Sequence, residues 1–165
     1  MNVDPSCNDN ELRLNGKELV GFLKTAASQG LSIRFRAKGT SMSPFIKDGD
    51  VVTISPLRGS PPRMGDIVAF QSPSTGNLLI HRTVGKLRNL YVMQGDNVPA
   101  ADDAVPETAI LGSVTKIERC GKGVSIGLGP ERFLIALLSQ KGVLSSRLRP
   151  LWRSIRTSMR RHKIK

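Results

Sequence analysis

The sequence is poor in cysteine and in long apolar runs, and each shortage excludes a class of protein. Cys7 and Cys120 are the only cysteines, too few for a disulfide framework and without the spacing of a metal site. The longest apolar run, FLIALL at 133–138, has six residues, whereas a membrane-spanning helix needs roughly 20. We therefore expect no transmembrane helix and a protein that is cytoplasmic or peripheral to a membrane.

The first residues of the chain also lack the pattern of an export signal. Residues 1–20 contain no basic stretch followed by an apolar stretch, so they do not resemble a secretory signal peptide. Aromatic residues make up only 4% of the 165 residues, while apolar residues make up 39%. A chain of this length can bury a core, which we expect to be aliphatic, and we expect no cofactor.

Acidic residues are absent from the end of the chain. Between Arg132 and Lys165 there are ten Lys or Arg residues and no Asp or Glu, so most of the net charge of +12 belongs to this tail. Apolar residues recur every three or four positions within 141–165. Such a basic amphipathic segment can lie on an anionic membrane, bind an acidic partner or pack on its own domain. No base-reading module accompanies it, which argues against sequence-specific binding of nucleic acid.

Short strand patterns separated by Gly- and Pro-containing turns occupy the middle of the chain. A helix is predicted over 16–29, with Asn15 as its cap, and further helices are predicted near 131–140 and 144–162. Strands are predicted at 31–39, 50–55, 66–71, 78–87, 90–95 and 110–119. Evenly spaced short strands of this kind predict a mostly β fold, a coiled antiparallel sheet or partial barrel, with an N-terminal helix and C-terminal basic helices.

One serine and one histidine suggest chemistry. Ser41 lies in AKGTSMSPFIKDGD, and we expect it to end the strand that begins at Leu31. A serine hydroxyl needs a base within hydrogen-bond reach to become a nucleophile. Of the two histidines, His162 lies in the basic tail, whereas His81 lies in the apolar strand LLIHRTV. Taken alone, His81 fits a half-exposed strand residue hydrogen-bonded to a neighbour better than a catalytic base.

Three aspartates follow in the loop GDNVPAADD. Asp96, Asp102 and Asp103 come directly after a strand that neighbours the strand of His81, and any of them could orient the imidazole. Asp96 could instead be a turn residue, because Gly-Asp-Asn is favourable turn chemistry. Asp102 and Asp103 could belong to a solvated loop.

Four segments taken together resemble a known family. GTSMSPFIKDGDVV, MGDIVAF, IHRTVGK and MQGDNVPAADD resemble, in order and spacing, the boxes of the type I signal peptidase and SOS-repressor peptidase superfamily. The resemblance covers about residues 31–118. It implies a signal-peptidase-like catalytic domain at 31–130, preceded by an N-terminal segment at 1–30 and followed by a basic helical tail at 131–165.

The resemblance also implies roles for the residues that match the boxes. Ser41 matches the nucleophile, His81 the base, Asp96 the aspartate of the Gly-Asp-Asn box, and Asp102 or Asp103 the later acid. Bacterial signal peptidases and the SOS repressors use lysine as the base. The endoplasmic-reticulum, archaeal and sporulation-type enzymes have histidine there, so this chain resembles the histidine branch. The implied activity is that of a serine endopeptidase that cleaves a protein precursor bound as an extended strand.

Two departures from the family pattern stand out. Gly39 occupies the position, two before the nucleophile, where signal peptidases usually place a serine that assists the oxyanion hole. No membrane anchor is evident, although Met42, Phe45 and Ile46 could form an apolar rim that meets lipid or a substrate, or could be ordinary core residues.

Two further functions compete with precursor cleavage. A self-cleaving regulatory domain of the SOS-repressor kind would carry a scissile Ala-Gly or similar pair before the serine and a DNA-binding module upstream. Residues 1–40 contain no Ala-Gly pair and leave no room for such a module. A catalytically idle binding domain of the same fold would have its serine and histidine far apart.

Overall fold

A computed structural model describes residues 16–140 of the chain. Predictions that fall on 1–15 and 141–165, among them the capping role of Asn15 and the final basic helix, lie outside the described residues. Within them, neither helix has the length and apolar character that crossing a bilayer requires.

Along the described part of the chain, one helix precedes a series of short strands and a second helix follows them. The first helix, α1, is Gly16–Ser28, and the second, α2, is Arg132–Gln140. The strands are β1 Ile33–Arg36, β2 Val51–Ser55, β3 Ile67–Gln71, β4 Leu78–Leu87, β5 Leu90–Gln94, β6 Val105–Pro106, β7 Ile110–Arg119 and β8 Lys122–Gly123. A single turn of 3₁₀ helix, Glu107–Ala109, joins β6 to β7.

All eight strands belong to one antiparallel sheet that curves into a half-barrel. The strand order is β1-β2-β7-β3-β4-β5-β6, with β8 paired to β7. The predicted mostly β fold with a helix before and after it is confirmed. All six predicted strands are present, although β1 is shorter than the predicted 31–39. Strands β6 and β8 were not predicted, because two residues cannot show an alternating pattern.

The core is aliphatic on the face of the sheet that α1 covers. Val20 and Leu23 of α1 pack there against a set of buried side chains from the strands and the loop before β2. These are Ala37, Met42, Ile46, Val52, Ile54, Ile67, Ala69, Leu111, Val114 and Ile117. Phe22 of the same helix is 52% exposed, because the buried face of α1 is centred on Val20 and Leu23.

A second, smaller cluster lies around β3 and β5. It contains Val68, Phe70, Tyr91, Met93 and Val105. Each large apolar side chain buried in this way stabilises the fold by about 1.5–3 kcal/mol. The two clusters hold β3 and β4 in a fixed register, with Val68 opposite His81.

Candidate active site

Ser41 lies in the loop that connects β1 to β2. Strand β1 ends at Arg36, so Ser41 does not end the strand as predicted but lies in a turn five residues later. The base of the loop is closed by hydrogen bonds from the Ala37 N–H to the Asp50 carbonyl, 2.8 Å, and from the Gly49 N–H to the Ala37 carbonyl, 2.9 Å. The polar stretch between them breaks the strand alternation and presents the serine on a loop.

Gly39 gives this loop its shape. Its φ of +97° lies in the left-handed region that favours glycine, and its N–H donates to Asp48 Oδ1 at 2.8 Å. A Cβ at this position would meet no atom within 4 Å. Backbone conformation, rather than lack of space, therefore favours a glycine at this position.

A salt bridge fixes the other end of the loop to the sheet. Arg119, at the end of β7, donates from Nε to Asp50 Oδ1 at 2.9 Å and from Nη2 to Asp50 Oδ2 at 2.7 Å. The same Nη2 donates to the Phe45 carbonyl at 3.1 Å. Burial alone would raise the pKa of Asp50, but hydrogen bonds from Arg119 and from the Lys47 N–H outweigh it, so the pKa lies below its ordinary value.

His81 lies in the part of β4 that pairs with β3. Its side chain is buried, and its ring packs near Phe70 with ring centroids 6.1 Å apart. Its Nε2 lies 3.0 Å from Ser41 Oγ. Two residues forty positions apart in sequence are thus within hydrogen-bond distance.

The second ring nitrogen of His81 contacts Asp102. Nδ1 lies 2.5 Å from Asp102 Oδ2, and the Asp102 N–H donates to the Met93 carbonyl of β5 at 2.8 Å. Asp103, the other candidate, is exposed. Of the two adjacent aspartates, Asp102 is therefore the one that lies beside the histidine.

Asp96 does not join this group. Its carboxylate accepts two hydrogen bonds of 2.8 Å from Arg82, one from Nε and one from Nη2, and both side chains are fully buried. Arg82 Nη1 also donates to the carbonyls of Gly65 and Gly127. The sequence resemblance placed Asp96 among the catalytic residues, but the structure places it in a buried ion pair because Arg82, next to His81, points to the opposite side of β4.

Two neighbours of Asp96, Gly95 and Asn97, also lie beside the candidate site, although neither is among the predicted site residues. The Asn97 N–H donates to the Ser41 carbonyl at 2.7 Å, and its side-chain amide donates to the Thr40 carbonyl at 3.2 Å. A Cβ on Gly95 would lie 2.8 Å from the Ser41 carbonyl oxygen and 3.1 Å from His81 Nε2. The Gly-Asp-Asn triplet is the sequence feature that could have indicated both residues. Its glycine and asparagine, rather than its aspartate, lie beside the serine and the histidine.

The expected apolar rim is mostly core. Met42 and Ile46 are each 4% exposed and belong to the cluster beneath α1. Phe45 is half-buried, with its ring 5.3 Å from the Arg82 guanidinium carbon and against Gly127. Met42 and Ile46 are therefore not available to meet lipid, because the turn after Ser41 folds them inward.

Lys86 is the one lysine close to His81 in sequence. Its Nζ donates to the Tyr91 hydroxyl at 2.8 Å and lies 3.9 Å from a carboxylate oxygen of Glu107. The hydrogen bond with Tyr91 raises the pKa of this amine. Because Lys86 is held in these contacts, it is not placed to serve as the base for Ser41. Within residues 16–140, no group of three His, Cys, Asp or Glu side chains is arranged to hold a metal ion.

The arrangement of Ser41, His81 and Asp102 has the connectivity that acyl transfer requires. A carboxylate on Nδ1 orients the ring so that Nε2 can accept the serine proton. Among the described residues, no acceptor takes up the Ser41 N–H, which leaves it free to donate to an oxyanion.

Comparison with known proteins adds one finding. A family model described as Peptidase S24-like matches residues 12–115, well over half of the chain. The matched range contains all three side chains of the hydrogen-bonded group and ends within β7, before α2 begins. No curated protein and no solved structure matched the chain.

Proposed function

The chain belongs to the peptidase S24-like family, and from that premise we propose that it is a serine endopeptidase with Ser41 as its nucleophile. His81 is the general base, and Asp102 orients the histidine ring. The observation that carries the proposal is the continuous path of contacts from Ser41 Oγ to His81 Nε2, 3.0 Å, and from His81 Nδ1 to Asp102 Oδ2, 2.5 Å.

The reaction proceeds by acyl transfer. His81 Nε2 takes the proton of Ser41 as Oγ attacks the carbonyl carbon of the scissile peptide bond. The same imidazolium then gives its proton to the leaving amine, and the carbon–nitrogen bond breaks. Water, deprotonated by His81, hydrolyses the ester on Ser41 and regenerates the hydroxyl.

The oxyanion of the tetrahedral intermediate is stabilised by the Ser41 N–H. A side-chain donor from position 39 is missing, because glycine has none. Removing one oxyanion donor from a serine peptidase costs on the order of 10²–10³ in rate. We therefore propose a slower enzyme than signal peptidases that carry a serine at this position.

The histidine base favours the branch that processes protein precursors. The resemblance of IHRTVGK to the endoplasmic-reticulum, archaeal and sporulation-type signal peptidases supports this assignment, since the SOS repressors have lysine at the base position. The proposed substrate is a protein precursor, cleaved at one or few peptide bonds.

The sheet offers an edge on which such a precursor could lie. Strand β5 pairs with β4 only from Arg82 onward, whereas residues 78–81 pair with β3 alone. Among the described residues, no strand covers the other side of 78–81, directly before His81. An extended peptide that added a strand there would bring its backbone to the serine and the histidine.

A self-cleaving or catalytically idle domain of the same fold is the alternative. The absence of an Ala-Gly pair in residues 1–40 weighs against self-cleavage of the SOS-repressor kind. The short distance between Ser41 and His81 weighs against an idle domain.

The direct test is covalent labelling by a serine-directed fluorophosphonate probe. We expect the wild type to be labelled, and the Ser41→Ala and His81→Ala variants to lose labelling by at least about 10³-fold. Ser43→Ala, which removes a second hydroxyl two residues away, is the matched control and should react like the wild type. Equal labelling of all four proteins would contradict the proposal.

A further inference from the structure

Helix α2 lies beyond the part of the chain that matches the peptidase family, yet it is built into the fold. The match ends at residue 115, and α2 begins at Arg132. Ile135, Ala136 and Ser139 of this helix are all buried. A buried serine on an otherwise apolar face needs a hydrogen-bond partner, and the identity of that partner connects α2 to the candidate site.

Ser139 donates its hydroxyl to the buried carboxylate of Asp96. The distance from Oγ to Oδ1 is 3.1 Å, and Arg82 Nε donates to the same oxygen at 2.8 Å. The three residues are 2%, 1% and 0% exposed. In an environment without water, a hydrogen bond to an ionised group is strong and directional, so Ser139 helps to fix where this carboxylate lies.

The position of Asp96 in turn affects the backbone on either side of it, which lies beside the Ser41 carbonyl and the His81 ring. Its neighbours in sequence are Gly95 and Asn97. A Cβ on Gly95 would lie 2.8 Å from the Ser41 carbonyl oxygen and 3.1 Å from His81 Nε2, and the Asn97 N–H donates to the same carbonyl. The ion-pair partner of Asp96, Arg82, directly follows His81 in β4. A displacement of the Asp96 carboxylate would therefore move Gly95 and Asn97, which lie beside the serine, and Arg82, which is adjacent to His81 in the chain.

Further contacts hold α2 in the orientation that brings Ser139 to Asp96. At its C-terminal end, Gln140 Nε2 donates to the Val84 carbonyl of β4 at 2.7 Å. Before its N-terminal end, Glu131 accepts from the Gly127 N–H at 2.7 Å, and the Gly127 carbonyl accepts from Arg82 at 3.0 Å. The helix is thus fastened on both sides of the Arg82–Asp96 pair.

We propose that Ser139 is a positioning residue for the candidate active site, and that α2 acts as a strap that holds the Arg82–Asp96 pair in its working position. The proposal rests on the proposed peptidase function. It assigns to a helix outside the family match a role in the reaction rather than in stability alone.

The test compares Ser139→Ala with a serine of similar burial that lies elsewhere. Ser72, 5% exposed, bonds only within the turn between β3 and β4, so Ser72→Ala is the matched control. For the full-length protein we expect Ser139→Ala to react with the fluorophosphonate probe about tenfold more slowly than the wild type. Ser72→Ala should react at the wild-type rate, even if both variants unfold at a similarly reduced urea concentration.

The same experiment distinguishes a role of Ser139 in positioning the candidate active site from a general loss of stability of the fold. The conservative variant Ser139→Thr keeps the hydroxyl and should recover most of the labelling rate. The maximal rate at saturating probe should fall in Ser139→Ala while the probe concentration for half-saturation stays near the wild-type value. Wild-type labelling rates for Ser139→Ala, or an equal slowing in Ser72→Ala, would overturn the proposal.

A readout that needs no activity keeps this proposal distinct from the proposed function. We expect the amide resonances of Gly95 and Asn97 to shift in the ¹H–¹⁵N spectrum of Ser139→Ala and to stay in place in Ser72→Ala. If the wild type is not labelled at all, the peptidase proposal fails, whereas the coupling of α2 to the Gly95–Asn97 segment is still decided by these shifts. Unchanged resonances in Ser139→Ala would overturn the coupling.

Discussion

Two arginine–aspartate pairs support the two halves of the candidate site, and they differ in their access to water. Arg119 and Asp50 anchor the loop of Ser41, and the arginine side chain is 31% exposed. Arg82 and Asp96 lie beside His81, and both side chains are 0% exposed. The nucleophile is thus held by a pair that solvent can reach, and the base by a pair that it cannot.

The difference has a physical consequence. A buried charge whose partner is removed cannot be solvated, and breaking such a pair costs about 3–5 kcal/mol. A partly exposed pair can recover water when one member is lost, so its loss costs less. We therefore expect the half of the molecule around His81 to tolerate substitution less well than the loop of Ser41.

The largest effect is expected from Arg82→Met. Among residues 16–140, this change leaves the buried Asp96 carboxylate with Ser139 as its one remaining side-chain partner, and we expect the free energy of unfolding to fall by about 3–5 kcal/mol. Urea unfolding followed by circular dichroism measures it. The double variant Arg82→Met, Asp96→Leu should recover part of the loss, whereas a cost below about 1 kcal/mol for the single variant would contradict the comparison.

A substitution at Gly95 should damage the site more than the fold. An alanine there would press against the Ser41 backbone carbonyl oxygen and against His81 Nε2, and a displacement of the base by about 1 Å lowers the rate on the order of 100-fold. The rate of fluorophosphonate labelling measures this effect. Gly123→Ala, where a Cβ would meet nothing within 4 Å, is the control, and equal rates in the two variants would refute the close approach.

The variant Asp50→Asn tests how much the partly exposed Arg119–Asp50 pair contributes to the free energy of unfolding, and how that contribution depends on pH. The pKa of Asp50 is lowered in the folded protein, so its contribution to stability is complete above its unfolded pKa, about 3.9, and is lost as pH falls through the folded pKa. At neutral pH we expect Asp50→Asn to cost about 1–3 kcal/mol.

The difference in the free energy of unfolding between the wild type and Asp50→Asn should become smaller below about pH 4. Urea midpoints measured from pH 7 to pH 3 follow it. Asp103→Asn, at an exposed position, should track the wild type throughout. A gap that widens toward low pH would show that the sign of the pKa shift is wrong.

The smallest effect is expected at Gly39, where serine and alanine can be compared. Both substitutions force a side chain into a left-handed conformation and should cost about 1–2 kcal/mol. Because a side chain here would point into open space, we expect the serine and alanine variants to be labelled at similar rates. A serine variant that reacts about tenfold faster would show that position 39 can supply an oxyanion donor.

The sequence predicted the strands well because alternation is a local property. Strand β4, predicted at 78–87, is observed at Leu78–Leu87, and the helix predicted at 16–29 is observed at Gly16–Ser28. The conformation of the Ser41 loop was not predictable from alternation, so its serine was placed at the end of a strand rather than in a turn.

Side-chain partners were harder to predict than strands, because they depend on loops and on distant residues. Asp102 and Asp103 are adjacent, and only the path of the loop decides which of them faces His81. Asp96 is predicted as a site residue because it matches the Gly-Asp-Asn box, whereas its carboxylate pairs with Arg82, a contact that the box does not reveal. Ser139 contacts Asp96 across 43 positions, a contact for which the sequence carries no local signal.

The most direct test of the central claim is the low-field proton NMR signal of the His81 imidazole. A ring N–H donated to a carboxylate at 2.5 Å should give a resonance far downfield of the backbone amides. We predict that this resonance is present in the wild type and in Asp103→Asn and absent in Asp102→Asn. A resonance that survives in Asp102→Asn, or is lost in Asp103→Asn, would contradict the proposed Ser41–His81–Asp102 site.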